Sequence, residues 1–259
     1  MPGSPEWIHP LRRPCGPYTT RLVVFPYAAA GPSSLRPLLT RLPETVELLG
    51  VALPGRERRF GEPPETTSAE IVRGVADALA GRPDLPTHLL GHSMGAGLAA
   101  ALALADPGAC EGLILSGRPP GSVAHDTLQG LCDEEIVGFL SQVGNTRPEL
   151  VRDPFWRDRV LRLFRSDTAL DVRTVGLLTG MLRERVLVLG GAEDPYVDVS
   201  ALAGWADRTT GPCEVRVFPG GHFFLLDEAV RQEVVDVLAG FLSGEHARPG
   251  APAPAELVS

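Results

Sequence analysis

The chain of 259 residues is long enough for one large α/β domain or two small ones, and its 44% hydrophobic content supplies a sizeable core. A formal charge of −8 excludes general nucleic-acid binding, because no broad basic surface is available to neutralise phosphates. No segment has the length and apolarity of a membrane span or the layout of a signal peptide, which gives the expectation of a cytoplasmic protein with no membrane partner.

The four cysteines, Cys15, Cys110, Cys132 and Cys213, stand far apart and match no metal spacing. They read as free thiols in a reducing compartment. Residues 1–18 are rich in Pro, Gly and Arg and read as an extended arm. The run Arg21-Leu22-Val23-Val24-Phe25-Pro26 reads as a buried strand that ends in the loop Tyr27 to Pro32, with a helix starting after Ser33. Val46 to Leu53 reads as a second strand, stopped by Pro54-Gly55. Ser68 is placed to cap a helix carrying Ile71, Val72, Val75 and Leu79 at helical spacing.

Next comes the stretch that organises the chain, Thr87-His88-Leu89-Leu90-Gly91-His92-Ser93-Met94-Gly95-Ala96-Gly97. It is an apolar strand, then G-x-S-x-G, then a helix of small residues running from Met94 to about Ala105. This is the strand–turn–helix context of a nucleophile elbow. Glycine fits at 91 and 95 because a side chain there would collide with neighbouring backbone. Ser93 then stands at the apex, and the amide of Met94 can point at a developing oxyanion. The helix is almost all Ala, Leu and Gly and reads as packed against the sheet.

Leu113 to Ser116 reads as the next strand. From about Arg118 to Met181 the alternation breaks. Asp133 and Glu134 start one helix, followed by Ile136, Val137, Phe139 and Leu140. A second run carries Phe155, Trp156, Val160, Leu161, Leu163 and Phe164. An insertion of this length reads as a helical lid, expected to be mobile and to gate an apolar chamber. Strand signals resume at Val186 to Leu189 and at Val215 to Phe218, and a helix from about Phe224 to Phe241 closes the domain. Residues 244–259 are rich in Pro and Ala and read as a disordered tail. The fold class is therefore α/β, a mostly parallel sheet with helices on both faces, in one domain over 19–243 with the lid at about 118–181.

A serine nucleophile needs a base, and the base needs an orienting acid. In this fold class they follow in the order Ser, acid, His. His222, in Phe218-Pro219-Gly220-Gly221-His222-Phe223, sits on a loop at the strand edge that also carries Ser93. His88 lies in the elbow strand, His92 diverges from Ser93 at the turn, and His9, His125 and His246 lie in the arm, lid and tail. For the acid, the loop after Leu189 offers Glu193, Asp194 and Asp198. Pro195 keeps Asp194 out of helical geometry, so Asp194 is the choice and Glu193 the second. The loop after the preceding strand, Ser116-Gly117-Arg118-Pro119-Pro120, holds no carboxylate. The second oxyanion donor falls to the loop after the first strand, at the amide of Ala28.

Taken in order, Trp7-Ile8, Arg21 to Pro26, Leu53-Pro54-Gly55-Arg56-Glu57-Arg58-Arg59, Gly91 to Ala96, Leu115-Ser116-Gly117-Arg118, Asp133-Glu134-Glu135 and Phe218 to Phe223 resemble the type II (editing) thioesterases of polyketide and nonribosomal peptide synthesis. These are α/β-hydrolases, and the likeness covers roughly residues 7–242. It implies hydrolysis of acyl thioesters from the phosphopantetheine arm of acyl or peptidyl carrier proteins, with Ser93 as nucleophile, Asp194 as acid, His222 as base and no metal or cofactor. The chain departs from the family's Phe-Pro-His-Ala-Gly-Gly, carrying Phe25-Pro26-Tyr27-Ala28-Ala29-Ala30 instead. A carboxylesterase or lipase with the same triad is the alternative, and a non-catalytic hydrolase fold the other. Carrier docking is expected at Arg56, Arg58, Arg59 and Arg118, which follow sheet strands on the Ser93 side; internal pairing of Arg56 or Arg118 with Glu57 or Asp133 is the competing expectation.

Overall fold

The computed structural model describes residues 6–121, 130–142 and 151–244. Seven strands form one sheet in the order β1-β3-β2-β4-β5-β6-β7. They are β1 (Ile8–Pro10), β2 (Thr20–Phe25), β3 (Val46–Val51), β4 (Thr87–His92), β5 (Gly112–Ser116), β6 (Arg185–Gly191) and β7 (Cys213–Phe218). All neighbours run parallel except β1, which pairs antiparallel with β3 through Ile8↔Val51. The arm thus supplies an edge strand that its Pro/Gly content concealed, and Pro10 is tolerated there because an edge position needs no second donor. Trp7 anchors it, its indole filling the space a side chain at Gly74 would need, with the Arg59 guanidinium 4.4 Å from the ring centroid.

Alternation within the strands divides the core. Val23, Phe25, Leu49 and Leu89 face a cluster built with α2 (Ser68–Ala80) and α3 (Met94–Ala105). Leu22, Val24, Leu48 and Leu90 face the opposite layer, made with α1 (Arg36–Leu39) and a C-terminal helix at Arg231–Ser243. Both faces are covered, as a parallel sheet requires. Ten of the twelve residues of α3 are buried, which only Ala, Gly and Leu of this size allow between the sheet and an outer helix layer.

Some expected boundaries move: β3 stops at Val51 and not at Leu53, and two helix starts shift. The cap of α2 is Thr67, not Ser68: the Glu70 amide donates to Thr67 Oγ1 (3.2 Å) and the Thr67 amide donates to Glu70 Oε2 (2.9 Å), a capping box. Ser68 is instead buried, with its hydroxyl 2.7 Å from Thr174 Oγ1. The last helix does not run from Phe224. A 3₁₀ turn at Phe224–Leu226 is followed by Asp227, whose Oδ1 accepts from the Ala229 amide (3.0 Å). That local bond competes with helix, so the helix begins at Arg231.

The insertion after β5 holds α4 (Asp133–Gln142) and α5 (Pro154–Val175), followed after β6 by the short α6 (Val199–Leu202); the C-terminal helix is α7. The first part of α5 carries exposed Phe155 and Trp156, but its second part is inside the protein. Asp167, Leu170, Asp171 and Thr174 recur there at helical spacing and are all buried. The two carboxylates meet buried arginines. Arg56 makes a paired contact with Asp167 (2.6 and 2.8 Å), and Arg118 Nη1 lies 2.5 and 2.7 Å from the oxygens of Asp171. This part of the insertion is therefore fixed to the loops that follow β3 and β5. The tail beyond Gly244 and residues 122–129 and 143–150 of the insertion lie outside the described residues.

The elbow is set by contact between backbones. A Cβ at Gly91 would run into the Gly95 carbonyl, and a Cβ at Gly95 into the Phe25 carbonyl of β2. Replacing Gly95 by Ala should therefore destabilise the protein by about 2 kcal/mol or more in urea unfolding, since backbone must shift. Gly81→Ala, at φ −82° with only ordinary contacts, should be neutral or slightly stabilising. Asp171→Ala, which leaves the Arg118 charge buried without that carboxylate, should cost about 3–5 kcal/mol in the same measurement.

Candidate active site

The register brings five loops to one edge. Phe25 pairs with Gly91, His92 with Ser116, Ser116 with Leu189, and Gly191 with Phe218, so the C-terminal ends of β2, β4, β5, β6 and β7 are level. The chain moves from β2 outward to β3, then crosses to β4 on the other side. Strand order therefore reverses between β2 and β4, where crevices form in open α/β sheets. The Tyr27–Ala30 loop leaves one strand of that pair and Ser93 the other.

Ser93 has φ 53° and ψ −122°, a conformation that L residues avoid. Such strain costs about 1–3 kcal/mol and persists only where the surroundings impose it. Here the Ser93 amide donates to the Ser116 carbonyl (2.8 Å), the Ala96 amide donates to the Ser93 carbonyl (3.0 Å), and Gly91 and Gly95 close the turn. Met94 is the first residue of α3, so its amide has no intrahelical acceptor.

His222 and Asp194 come together. His222 Nδ1 lies 2.7 Å from Asp194 Oδ2, and the Asp194 side chain is 1% exposed. Asp194 Oδ1 accepts from the amides of Tyr196 (2.9 Å) and Val197 (3.1 Å), so the carboxylate is held at both oxygens. With the proton on Nδ1 facing the carboxylate, Nε2 is left as the basic nitrogen. The imidazole packs over Gly117, where a Cβ would stand 3.2 Å from its Cε1. It also lies 4.9 Å from the His92 ring, the residue preceding Ser93. The glycines are required here: Gly220 has φ 107°, and a side chain on Gly191 would strike the Gly221 carbonyl.

The other acids of this loop have separate tasks. Glu193 holds the histidine loop through the Gly220 amide, and Asp198 caps α6 by accepting from the Ser200 amide (2.8 Å). The other described histidines are also engaged. His92 is fully buried with Nδ1 3.0 Å from Ser116 Oγ, and burial and the neighbouring His222 push its pKa well below the usual imidazole value. Burial lowers His88 to about 4; its Nδ1 is 3.3 Å from Thr20 Oγ1, and Arg185 Nη2 lies 2.9 Å from Nε2. His9 sits in β1 with Nε2 3.8 Å from Glu57. His125 and His246 lie outside the described residues.

In the loop after β2, Ala29 takes φ 62° and its amide donates to Asp167 Oδ2 (2.7 Å). The amide of Ala28 has no acceptor among the described residues. Tyr27 occupies the position where the resemblance has histidine. It is buried edge-on against Phe223 (4.7 Å) and His92 (5.7 Å), and burial pushes its phenol up to about 12. It belongs to the packing beneath the site.

The expected docking arginines separate. Arg56 and Arg118 are 6% and 0% exposed and serve the ion pairs to Asp167 and Asp171, so neither is presented to a partner. Internal pairing is the outcome, with carboxylates of α5 and not with Glu57 or Asp133. Arg59 is spent on Glu62, the Ala52 carbonyl and Trp7. Arg58 is exposed, its side chain at 58%, with Glu6 at 3.5 Å.

Beside the histidine, the insertion supplies an apolar wall from residues that the sequence placed in the lid. Ile136, Leu140, Leu161 and Phe164 form a cluster that includes Ala29, Val137 and Phe139. Phe139 packs on Tyr196 at 4.7 Å, and Tyr196 stands edge-on to His222 at 6.0 Å. No helix among the described residues is long and apolar enough to cross a membrane.

Comparison with known proteins places the chain in a family. The thioesterase domain family matches residues 20–242. A probable cadicidin biosynthesis thioesterase from Streptomyces griseus is 30% identical over 240 residues, 88% of this chain; the match spans 65% of that relative's length. Thioesterase TesA of Mycobacterium marinum is 29% identical over 85% of this chain and 90% of its own. Among solved structures, the type II thioesterase BorB from the borrelidin biosynthetic cluster superposes with a TM-score of 0.75 at 30% identity, over 93% of this chain and 99% of its own. The α/β-hydrolase fold and the thioester-hydrolase character of these relatives agree with the expectation from sequence, and the chain belongs to the thioesterase family.

Proposed function

We propose that this thioesterase releases acyl groups from the phosphopantetheine arm of a carrier protein in a polyketide or nonribosomal peptide pathway, with Ser93, His222 and Asp194 as its catalytic triad. The observation that carries this reading is the buried His222–Asp194 pair, 2.7 Å apart, at the sheet edge where Ser93 is held in a strained turn. Similarity to BorB, from a borrelidin cluster, supports the pathway class. A cytoplasmic location fits the free state of the four cysteines.

Each group has a defined task. Ser93 Oγ attacks the thioester carbonyl while His222 Nε2 takes its proton; Asp194 keeps Nδ1–H oriented and stabilises the imidazolium. The amides of Met94 and Ala28 receive the oxyanion. The tetrahedral intermediate collapses, expelling the pantetheine thiolate, which takes the proton from His222 and leaves the acyl group on Ser93. Water, deprotonated by His222, attacks this ester; a second collapse returns the proton to Ser93 and frees the acid. The acyl chain lies along Phe139, Phe164, Tyr196 and Ala29. Because the second half of α5 is pinned by ion pairs, any opening of the chamber falls to α4 and the first turns of α5.

Ser93→Ala and His222→Ala should each lower kcat by about 10⁴- to 10⁶-fold, and the double variant should be no worse than either alone. Asp194→Asn should cost about 10²- to 10⁴-fold. Steady-state kinetics on an acyl-pantetheine thioester checks both; full activity in Ser93→Ala or His222→Ala overturns the triad. Arg58→Glu should weaken turnover of acyl-carrier protein, most at low salt, and spare the small thioester. Equal effects on the two substrates would remove Arg58 from carrier docking.

A further inference from the structure

The oxyanion loop is held from outside itself. Tyr27 to Ala30 makes a turn in which the Ala30 amide donates to the Tyr27 carbonyl (3.2 Å). Within it Ala29 adopts φ 62°, the left-handed region that a Cβ disfavours and glycine enters freely. The resemblance pattern has glycine at this position; the present chain has alanine. Something must therefore keep Ala29 where its own preference would not.

Asp167, on α5, is in contact with that turn. It is 1% exposed and stands 138 residues away along the chain. Its Oδ2 accepts the Ala29 amide (2.7 Å) and Arg56 Nη1 (2.6 Å), and its Oδ1 accepts Arg56 Nη2 (2.8 Å). Arg56 in turn donates to the Ala30 carbonyl (3.2 Å) and, through Nε, to the Pro54 carbonyl (3.2 Å). The pair thus grips the turn twice, at the N–H of Ala29 and at the C=O of Ala30. A buried, bidentate, charge-assisted pair is a rigid clamp.

We propose that Asp167 and Arg56 are positioning residues for the oxyanion hole. By fixing the Ala28–Ala29 and Ala30–Gly31 peptides, and with them the left-handed Ala29 between, they aim the Ala28 amide at the position of the oxyanion. The acceptor for Ala29 is carried by the inserted helix, so the hole is complete only while α5 is seated on the core. This rests on the reading of Ala28 as an oxyanion donor.

Two double variants isolate the contact. Arg56→Met with Asp167→Leu removes both buried charges and the acceptor for Ala29. Arg56→Met with Asp167→Asn removes both charges and keeps an oxygen for the Ala29 amide. Kinetics on a small acyl-pantetheine thioester should show the Leu variant down about 10²-fold in kcat, with KM changed less than about 3-fold. Its affinity for an alkylboronic acid, which forms a tetrahedral adduct on the serine, should fall in parallel, while affinity for the product acid holds. The Asn variant should retain at least about ten times the kcat of the Leu variant. Equal kcat and equal boronate affinity in the two would overturn the proposal. If neither folds, replacing Ala29 by lactic acid deletes only its N–H and leaves the ion pair intact. The same loss of kcat and boronate affinity is then expected, and wild-type values would overturn the proposal. Failure of the underlying triad looks different: wild-type protein would form no boronate adduct, or Ser93→Ala would keep its turnover.

Discussion

The close approach of α3 to the end of β2 is the constraint on which the active edge depends. Gly95 lies directly against the Phe25 and Pro26 carbonyls, and Gly91 against the Gly95 carbonyl. Three backbones are thereby packed without intervening side chains. That contact forces Ser93 into its strained dihedrals and sets the first turn of α3 beside the loop leaving β2. Ser93 and the first turn of α3 are thus positioned by main chain, while the loop leaving β2 is held in addition by the side chains of Asp167 and Arg56. The histidine loop uses the same device, with Gly191 packed under the Gly220 and Gly221 carbonyls.

A second theme is polar and lies in α5. A helix that covered the site through apolar contacts alone could slide. This one carries Asp167, Asp171 and Thr174 on its inner face, each meeting a partner that belongs to the core: Arg56, Arg118 and Ser68. Buried ion pairs of this kind contribute less to stability than apolar packing of the same volume, because both charges lose their hydration. What they supply is register, since a one-turn shift would strand two carboxylates and two guanidiniums. The insertion is in this way divided: an anchored half that touches the Ala29 turn, and an outer part whose apolar residues form the wall beside His222.

Much of this was legible in the sequence, for identifiable reasons. G-x-S-x-G between an apolar strand and a small-residue helix admits few structures, so β4, the turn at Ser93 and α3 were readable. Chain order and the Asp194-Pro195 pair separated Asp194 from Glu193, and the structure shows why the distinction matters: the two acids hold different atoms of the same loop. Edge strand β1 was hidden by its Pro and Gly neighbours, because strand propensity does not register three residues that gain their bonds from a distant partner at Leu49 to Val51. For the arginines at 56 and 118 the sequence offered docking or pairing with Glu57 or Asp133; their actual partners on α5 are 111 and 53 residues away, beyond any local pattern. A signal did exist. Acids at 167 and 171 share the 3–4 spacing of Leu163, Phe164, Leu170 and Thr174, and carboxylates on an apolar stripe call for buried cations. The left-handed turn at Ala29 carried no such mark, since alanine gives no hint of positive φ.

The central claim, that Ser93 accepts an acyl group from a carrier protein and passes it to water, is tested most directly by intact-protein mass spectrometry. An acyl carrier protein loaded with a short acyl-phosphopantetheine is mixed with the enzyme and quenched over a time course. The account predicts that the carrier returns to the mass of its free-thiol form, and that early quenches show one acyl group on the enzyme, on the peptide that contains Ser93. A carrier that keeps its acyl group under enzyme that hydrolyses simple esters, or an acyl group found on a residue other than Ser93, would contradict it.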